Sequence, residues 1–118
     1  PLEMEQILLN LVNNSLDALQ AKKKQNAKSS LTLELRSSKV TVDDAPGAEL
    51  EIHDTGEGIS EDDLKNVFKP FFTTKRPGEG TGLGLTICQQ LAHKNGLTIE
   101  MKSKLGAWTR VALRVPYA

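Results

Sequence analysis

Asn10, Asn14 and Asp17 stand at i, i+4 and i+7, a spacing that puts all three on one stripe of a helix. Asn13 adds a further asparagine to the same short segment. Asparagine is a weaker helix former than Lys or Glu, which cover a wet surface at less cost. Its side-chain carbonyl can ligate a hard divalent cation, which Lys cannot do; a plain solvent-facing stripe is the competing reading. Asp54 closes the alternating run Ala48, Leu50, Ile52 and shares its parity, so its carboxylate points toward the apolar interior and needs a partner there. It either caps the loop DTGEGIS that follows or offers an acceptor at the floor of an apolar slot, which suits the exocyclic amine of adenine. Gly56 and Gly58 predict open space beside that acid. The stretch GEGTGLGLT, Gly78 to Thr86, carries glycines at 78, 80, 82 and 84 and runs straight into helical spacing. Either it is a hinge, or its backbone amides and the helix N-terminus make a cradle for phosphate. It contains neither GxxxxGK[ST] nor the dinucleotide GxGxxG spacing. Amides fit for magnesium, an acceptor fit for adenine and a phosphate cradle together point to ATP.

The elements that must hold these groups follow from periodicity. Leu8, Leu11, Val12, Leu16 and Leu19 recur at helical spacing and predict a helix from Leu2 to about Lys23, its leucine stripe nearly opposite Asn10, Asn14 and Asp17. Leu31, Leu33 and Leu35 alternate as a strand. Val40 and Val42 fall out of that parity and predict a bulge near Ser37 and Ser38. DDAPG, Asp43 to Gly47, reads as a turn, and Ala48 to Asp54 as a strand. Ser60 with Asp63 resembles a helix start, and EDDLKNVF reads as one short helix. Lys69 to Gly82 is an irregular loop, followed by a helix from Leu83 to Asn95 that Gly96 stops. Strands at 97–103 and 107–115 finish the chain, with Thr109, Val111, Leu113 and Val115 on one face. This order predicts an α+β fold: a sandwich of helices packed on one face of a mixed, mostly antiparallel sheet.

The totals exclude other classes. A chain of 118 residues suits one domain. Fifteen Lys and Arg balance fifteen Asp and Glu, so the basic excess of a nucleic-acid binder is missing. No apolar run approaches the roughly 18 residues of a membrane span. The single Cys88 can form no internal disulfide, which fits a reducing compartment.

QILLNLVNNSLDA, DTGEGI, FKPFFTTK and GEGTGLGL resemble, in order and spacing, the N, G1, F and G2 boxes of sensor histidine kinases. The match covers essentially the whole chain, and PFFTTK is similar to the nitrogen-regulatory type. The resemblance implies the Bergerat fold of the GHKL ATPases with a mobile ATP lid, here Pro70 to Gly80. It implies that Asn14 ligates Mg²⁺ and that Asn10 faces the reacting phosphoryl group. It implies that Asp54 accepts from the adenine amine beside Gly56, Gly58 and Ile59. It implies that Gly80, Thr81, Gly82, Leu83 and Gly84 hold the phosphates. Asp17, Phe72, Thr73, Thr74, Lys75 and Thr109 complete the implied ATP site. Asp17 stands where many members carry Lys, so Lys75 or Arg76 is expected to supply that charge. Ser15 replaces a commoner alanine, Trp108 replaces a usual glycine, and the strand that usually precedes the N box is missing.

The implied function is the catalytic and ATP-binding domain, 1–118, of a two-component kinase. It would transfer the γ-phosphate of Mg-ATP to a histidine on a separate dimerisation and histidine-phosphotransfer domain, with a response regulator downstream. Neither His53 nor His93 is placed to be the phosphoacceptor. The expected domain is cytoplasmic and monomeric in isolation, touching neither nucleic acid nor membrane, whether or not its parent is membrane-anchored. The competing members of the same fold are gyrase- or mismatch-repair-type ATPases and anti-sigma-type serine kinases. The ATPases use a glutamate as water-activating base four residues before the magnesium asparagine. Here Asn10 holds that place, and an amide cannot take the proton.

Overall fold

The computed structural model describes residues 2–26, 28, 30–70, 72 and 84–116. The first helix, α1, runs Leu2–Gln25, with Glu3 and Glu5 in its first turn and Lys22, Lys23 and Lys24 in its last, complementing the helix dipole at both ends. Its buried line is Ile7, Leu11 and Ser15. Of the predicted stripe, Leu11 is buried and Leu8 and Val12 pack against the core, but Leu16 is 43% exposed, because the inward face is centred about a quarter-turn away from Leu16 and Leu19. That rotation brings Asn10 and Asn14 to the edge of the core as half-buried residues, leaving Asp17 exposed.

Strand β1, Leu33–Val42, and strand β2, Ala45–Asp54, form a hairpin in unbroken register from Leu33 opposite Asp54 to Val42 opposite Ala45. The expected bulge at Ser37 and Ser38 is absent, since Val40 and Val42 simply face the other side of the sheet. The turn is Asp43 and Asp44 alone, at φ 51° and 64°. Two positive φ values define the turn type that matches the twist of a tight hairpin, and Asp tolerates that region better than most residues. The five-residue turn DDAPG is thus shortened to two. Pro46 can sit in β2 because β4 begins pairing only at Gly47, so its missing N–H leaves no gap on that side.

Ser60 caps α2, Glu61–Leu64, its hydroxyl accepting the Asp63 amide at 3.2 Å. Helix α3 spans Gly84–Lys94. It stops as Gly96 turns to φ 73°, with Leu97 N–H donating to Ala92 O at 2.8 Å and Gly96 N–H to His93 O at 3.1 Å, a paired closure of the last carbonyls. Strands β3, Thr98–Lys104, and β4, Trp108–Pro116, complete a four-stranded sheet of order β1-β2-β4-β3. Every pairing among the described residues is antiparallel, in keeping with the mostly antiparallel sheet expected. Among the described residues no helix is long and apolar enough to cross a membrane.

One face of the sheet carries Ile52, Val111 and Leu113 against Ile7 and Leu11 of α1 and Cys88 and Ala92 of α3. Each large apolar side chain so buried contributes about 1.5–3 kcal/mol. The other face is polar. Arg114 Nε meets Glu49 across the strands at 2.9 Å, and Trp108 lies beside His53 with ring centroids 6.0 Å apart. The Arg110 guanidinium stands 5.6 Å from the centre of the Trp108 ring. A tryptophan is accommodated at this position because its ring lies across the outer face rather than entering the core.

Candidate functional site

Asp54 ends β2 at 2% exposure, the buried acid that strand parity predicts. Its Oδ1 accepts the Gly56 amide at 2.9 Å, and the Ser15 hydroxyl hydrogen-bonds the same carboxyl from α1. Burial pushes its pKa above the ordinary carboxylate range; the two hydrogen bonds, His53 and Lys22 pull it back. The carboxyl therefore caps the loop that follows it, the first of the two sequence readings, from a buried position at the end of β2.

The loop after Asp54 is pinned residue by residue. Thr55 exchanges hydrogen bonds with Thr32, its N–H donating to Thr32 O at 3.0 Å and its Oγ1 accepting Thr32 N–H at 2.8 Å. Glu57 N–H donates to Ala18 O of α1 at 3.3 Å, and Glu57 O accepts Gly106 N–H at 2.6 Å. Ile59 N–H donates to Ser103 Oγ at 2.8 Å. The glycines here do not leave open space, which corrects the sequence reading. A Cβ on Gly56 would stand 2.7 Å from Ala18 backbone and 2.8 Å from the Asp54 carboxylate. Gly58 sits at φ 71°, and a Cβ there would collide with Lys104 O. Glycine is required because the loop is clamped between α1 and the β3–β4 turn.

Asn10 stands on α1 one residue more than a turn before Ser15, about 7.5 Å along the axis. Its amide hydrogen-bonds the sulfur of Cys88 in α3, whose thiol donates to Ile7 O at 3.7 Å. One helix thus touches the buried acid through Ser15 and the second turn of α3 through Asn10, with Asn14 half-buried between them. Thr86 Oγ1 donates to Phe68 O at 3.0 Å, tying the start of α3 to the segment after α2. Among the described residues, nothing stands within 4 Å of where a Cβ on Gly84, the first residue of α3, would lie. Thr109 pairs with Asp54 in the β2–β4 register and is 7% exposed. Ile59 and Phe72 are half-buried, and Phe72 N–H donates to Lys69 O at 3.2 Å.

The site residues Thr73, Thr74, Lys75, Gly80, Thr81, Gly82 and Leu83, and most of the expected lid, lie outside the described residues. The structure ties Asp54 to Gly56 by a hydrogen bond and to Thr109 by strand register, and Ile59 to Thr109 through Ser103. Two residues at the site escaped the sequence reading of the chemistry: Ser15 and Ser103. Ser15 sits between Asn14 and Leu16 and on the buried line, so a polar residue at an inward position was the available signal. Ser103 carried none beyond strand parity.

Comparison with known proteins gives the family of the chain. The model of the family described as histidine kinase-, DNA gyrase B-, and HSP90-like ATPase matches residues 1–118. The chain is 39% identical over 112 residues to the C4-dicarboxylate transport sensor protein DctB of Pseudomonas aeruginosa, covering 93% of this chain and 17% of that protein. It is 33% identical to the sensor histidine kinase ZraS of Escherichia coli K12, covering 98% of this chain and 22% of that one. It therefore spans about a fifth of the length of these relatives. Its fold resembles that of full-length ShkA in complex with AMPPNP, with a TM-score of 0.72 and 23% identity over 98% of this chain and 22% of that chain. By its match over the whole length, the chain belongs to the histidine kinase-, DNA gyrase B- and HSP90-like ATPase family.

Proposed function

We propose that residues 1–118 are the catalytic and ATP-binding domain of a sensor histidine kinase. The domain would pass the γ-phosphate of Mg-ATP to a histidine on a separate helical dimerisation and phosphotransfer domain, from which a response regulator receives it. The observation that carries this reading is the double contact of α1, through Ser15 to Asp54 and through Asn10 to α3. That double contact supports reading Asp54 as the adenine acceptor, with the amides of α1 and the start of α3 completing the site. The likeness to DctB and ZraS supports it. The FKPFFTTK motif supports the nitrogen-regulatory type.

Phosphoryl transfer asks a protein mainly for positioning and charge stabilisation. Asp54 would accept from the adenine amine, its carboxylate held in place by Gly56 and Ser15. The open surroundings of Gly84 would let phosphate oxygens reach the amides at the start of α3. Asn14 would hold magnesium through its amide oxygen, with Asn10 facing the reacting group. No cluster of three or more His, Cys, Asp or Glu occurs among the described residues, so the donor set fits an ion held jointly by amides and phosphate oxygens. Magnesium would supply neutralisation of phosphate charge. Lys75 or Arg76 would add the cation that Asp17 cannot. Asn10 has no proton-accepting group, so it cannot activate water as a hydrolytic ATPase would. The domain would work in the cytoplasm.

The test is direct. Mix the domain with a helical phosphoacceptor domain, Mg²⁺ and labelled ATP, and follow the label. Phosphate that is stable in base and lost in acid is expected; phosphate released only as inorganic phosphate would turn the reading toward an ATPase.

A further inference from the structure

Ser103 holds three groups with one hydroxyl. Its Oγ accepts Ile59 N–H at 2.8 Å, lies 2.8 Å from Trp108 O, and lies 2.7 Å from Thr109 Oγ1. A hydroxyl has one proton and two acceptor lone pairs. Only one assignment satisfies every group. Ser103 donates to Trp108 O and accepts from both Ile59 N–H and Thr109 O–H. The reverse assignment, Ser103 donating to Thr109, strips the Trp108 carbonyl of this donor. Leaving a buried polar group unmet costs more than the hydrogen bond itself is worth.

The consequence falls on Thr109, which pairs with Asp54 across β2 and β4 and is almost fully buried. With its only proton committed to Ser103, Thr109 presents acceptor lone pairs alone. Asp54 beside it takes its hydrogen bonds from Gly56 and Ser15 and also presents acceptor oxygens. We propose that Ser103 is a positioning residue that fixes the Thr109 proton and so makes the floor of the site acceptor-only, selecting a purine with an amine at its six position over one with a carbonyl there. The inference rests on the reading of Asp54 as the base-recognising acid. Sites built to hydrogen-bond a donor reject the analogue that lacks it, because the buried acceptors are then left unpaired.

The 118-residue chain is titrated with Mg-ATP and Mg-GTP by calorimetry, as wild type, Ser103→Ala, Ser103→Thr and Asp54→Asn. Amide exchange of Ile59 is followed by NMR in parallel, without nucleotide. Ser103→Ala is expected to reduce the ATP-over-GTP affinity ratio about tenfold and to speed Ile59 exchange. Ser103→Thr, which keeps the hydroxyl and suits a strand, should restore both within about twofold. Equal weakening of both nucleotides, or faster Ile59 exchange with an unchanged ratio, would show a structural role only and overturn the proposal. If Ser103→Ala does not fold, Ser103→Cys keeps the volume with a poor acceptor and carries the same expectation. If Asp54→Asn binds ATP as the wild type does, the Asp54 reading falls and this proposal with it. That outcome is distinct from an Asp54 effect accompanied by none at Ser103.

Discussion

The Gly56 amide donates to Asp54 Oδ1 at 2.9 Å while the Ser15 hydroxyl reaches the same carboxyl from the neighbouring helix. Two donors favour the charged form of an acid that burial disfavours. Desolvation is the largest influence on Asp54, and its folded pKa lies above the ordinary 3.8. The folded state therefore holds the Asp54 proton more tightly than the unfolded chain does. By linkage, Asp54 lowers stability as pH rises from 3.8 through its folded value, and the deficit then stays constant. Asp54→Asn carries no titrating proton there. Its stability relative to wild type should be lowest below pH 3.8, climb through the acid range, and level off at neutral pH with the variant equal to or above wild type. Urea unfolding at a series of pH values measures this. A variant clearly less stable than wild type at neutral pH would mean that the two donors more than offset the burial. The same variant should lose ATP binding, because an amide is no longer a pure acceptor.

Ser15 should be felt through Asp54. Removing its hydroxyl takes away a donor that favours the charged carboxylate, so the Asp54 pKa moves further up. Ser15→Ala should leave ATP affinity near wild type at pH 8 and weaken it progressively toward acid, with the fall-off shifted to higher pH than in wild type. Nucleotide titrations between pH 5 and 8 test this. An unshifted profile would remove Ser15 from the site.

How much of this was legible in the sequence depended on the kind of signal. Asp54 was, because parity in a strand is rigid: a residue two beyond Ile52 faces where Ile52 faces. The face of α1 was read a quarter-turn wrong. The stripe Leu8, Leu11, Val12, Leu16 and Leu19 contains the buried Leu11, yet the helix also buries Ile7 and Ser15 and exposes Leu16. The hairpin turn was hidden because Asp-Asp lacks the glycine that usually marks two positive φ values. The glycine loop was placed correctly but for the wrong reason. Close approach of α1 and the β3–β4 turn is a long-range fact that local spacing does not encode. Ser103 was illegible for the same reason, since its partner Ile59 lies 44 residues earlier.

The rotated helix face makes its own prediction. Leu9 and Leu11 are two positions apart, yet Leu9 is 62% exposed and Leu11 1%. Leu11→Ala should cost about 2–5 kcal/mol, the range for a buried leucine that leaves a cavity. Leu9→Ala should stay within about 0.5 kcal/mol. Paired denaturant unfolding curves decide it, and equal losses would contradict the helix orientation that brings Asn10 and Asn14 to the core edge.

Two glycines separate folding from binding. Gly58 combines φ 71° with a Cβ position that strikes Lys104 backbone, so neither rotation nor side-chain movement relieves the strain. Gly58→Ala should lower stability by about 1–3 kcal/mol from the backbone conformation alone, and by more as the β3–β4 turn is displaced. Nucleotide affinity would fall with it, because the same loop carries Ile59 and borders Asp54. Gly84 opens a helix, and no described residue comes within 4 Å of its Cβ position. Alanine is the better helix former, and it restricts the unfolded chain, so Gly84→Ala should hold or raise stability by up to about 1 kcal/mol. Its added methyl would stand where phosphate must approach the first amides of α3, and ATP affinity should drop at least about tenfold. Thermal melts and ATP titrations on the two variants separate the effects. A stable Gly84→Ala domain that binds ATP normally would remove the start of α3 from the phosphate site while leaving the fold untouched.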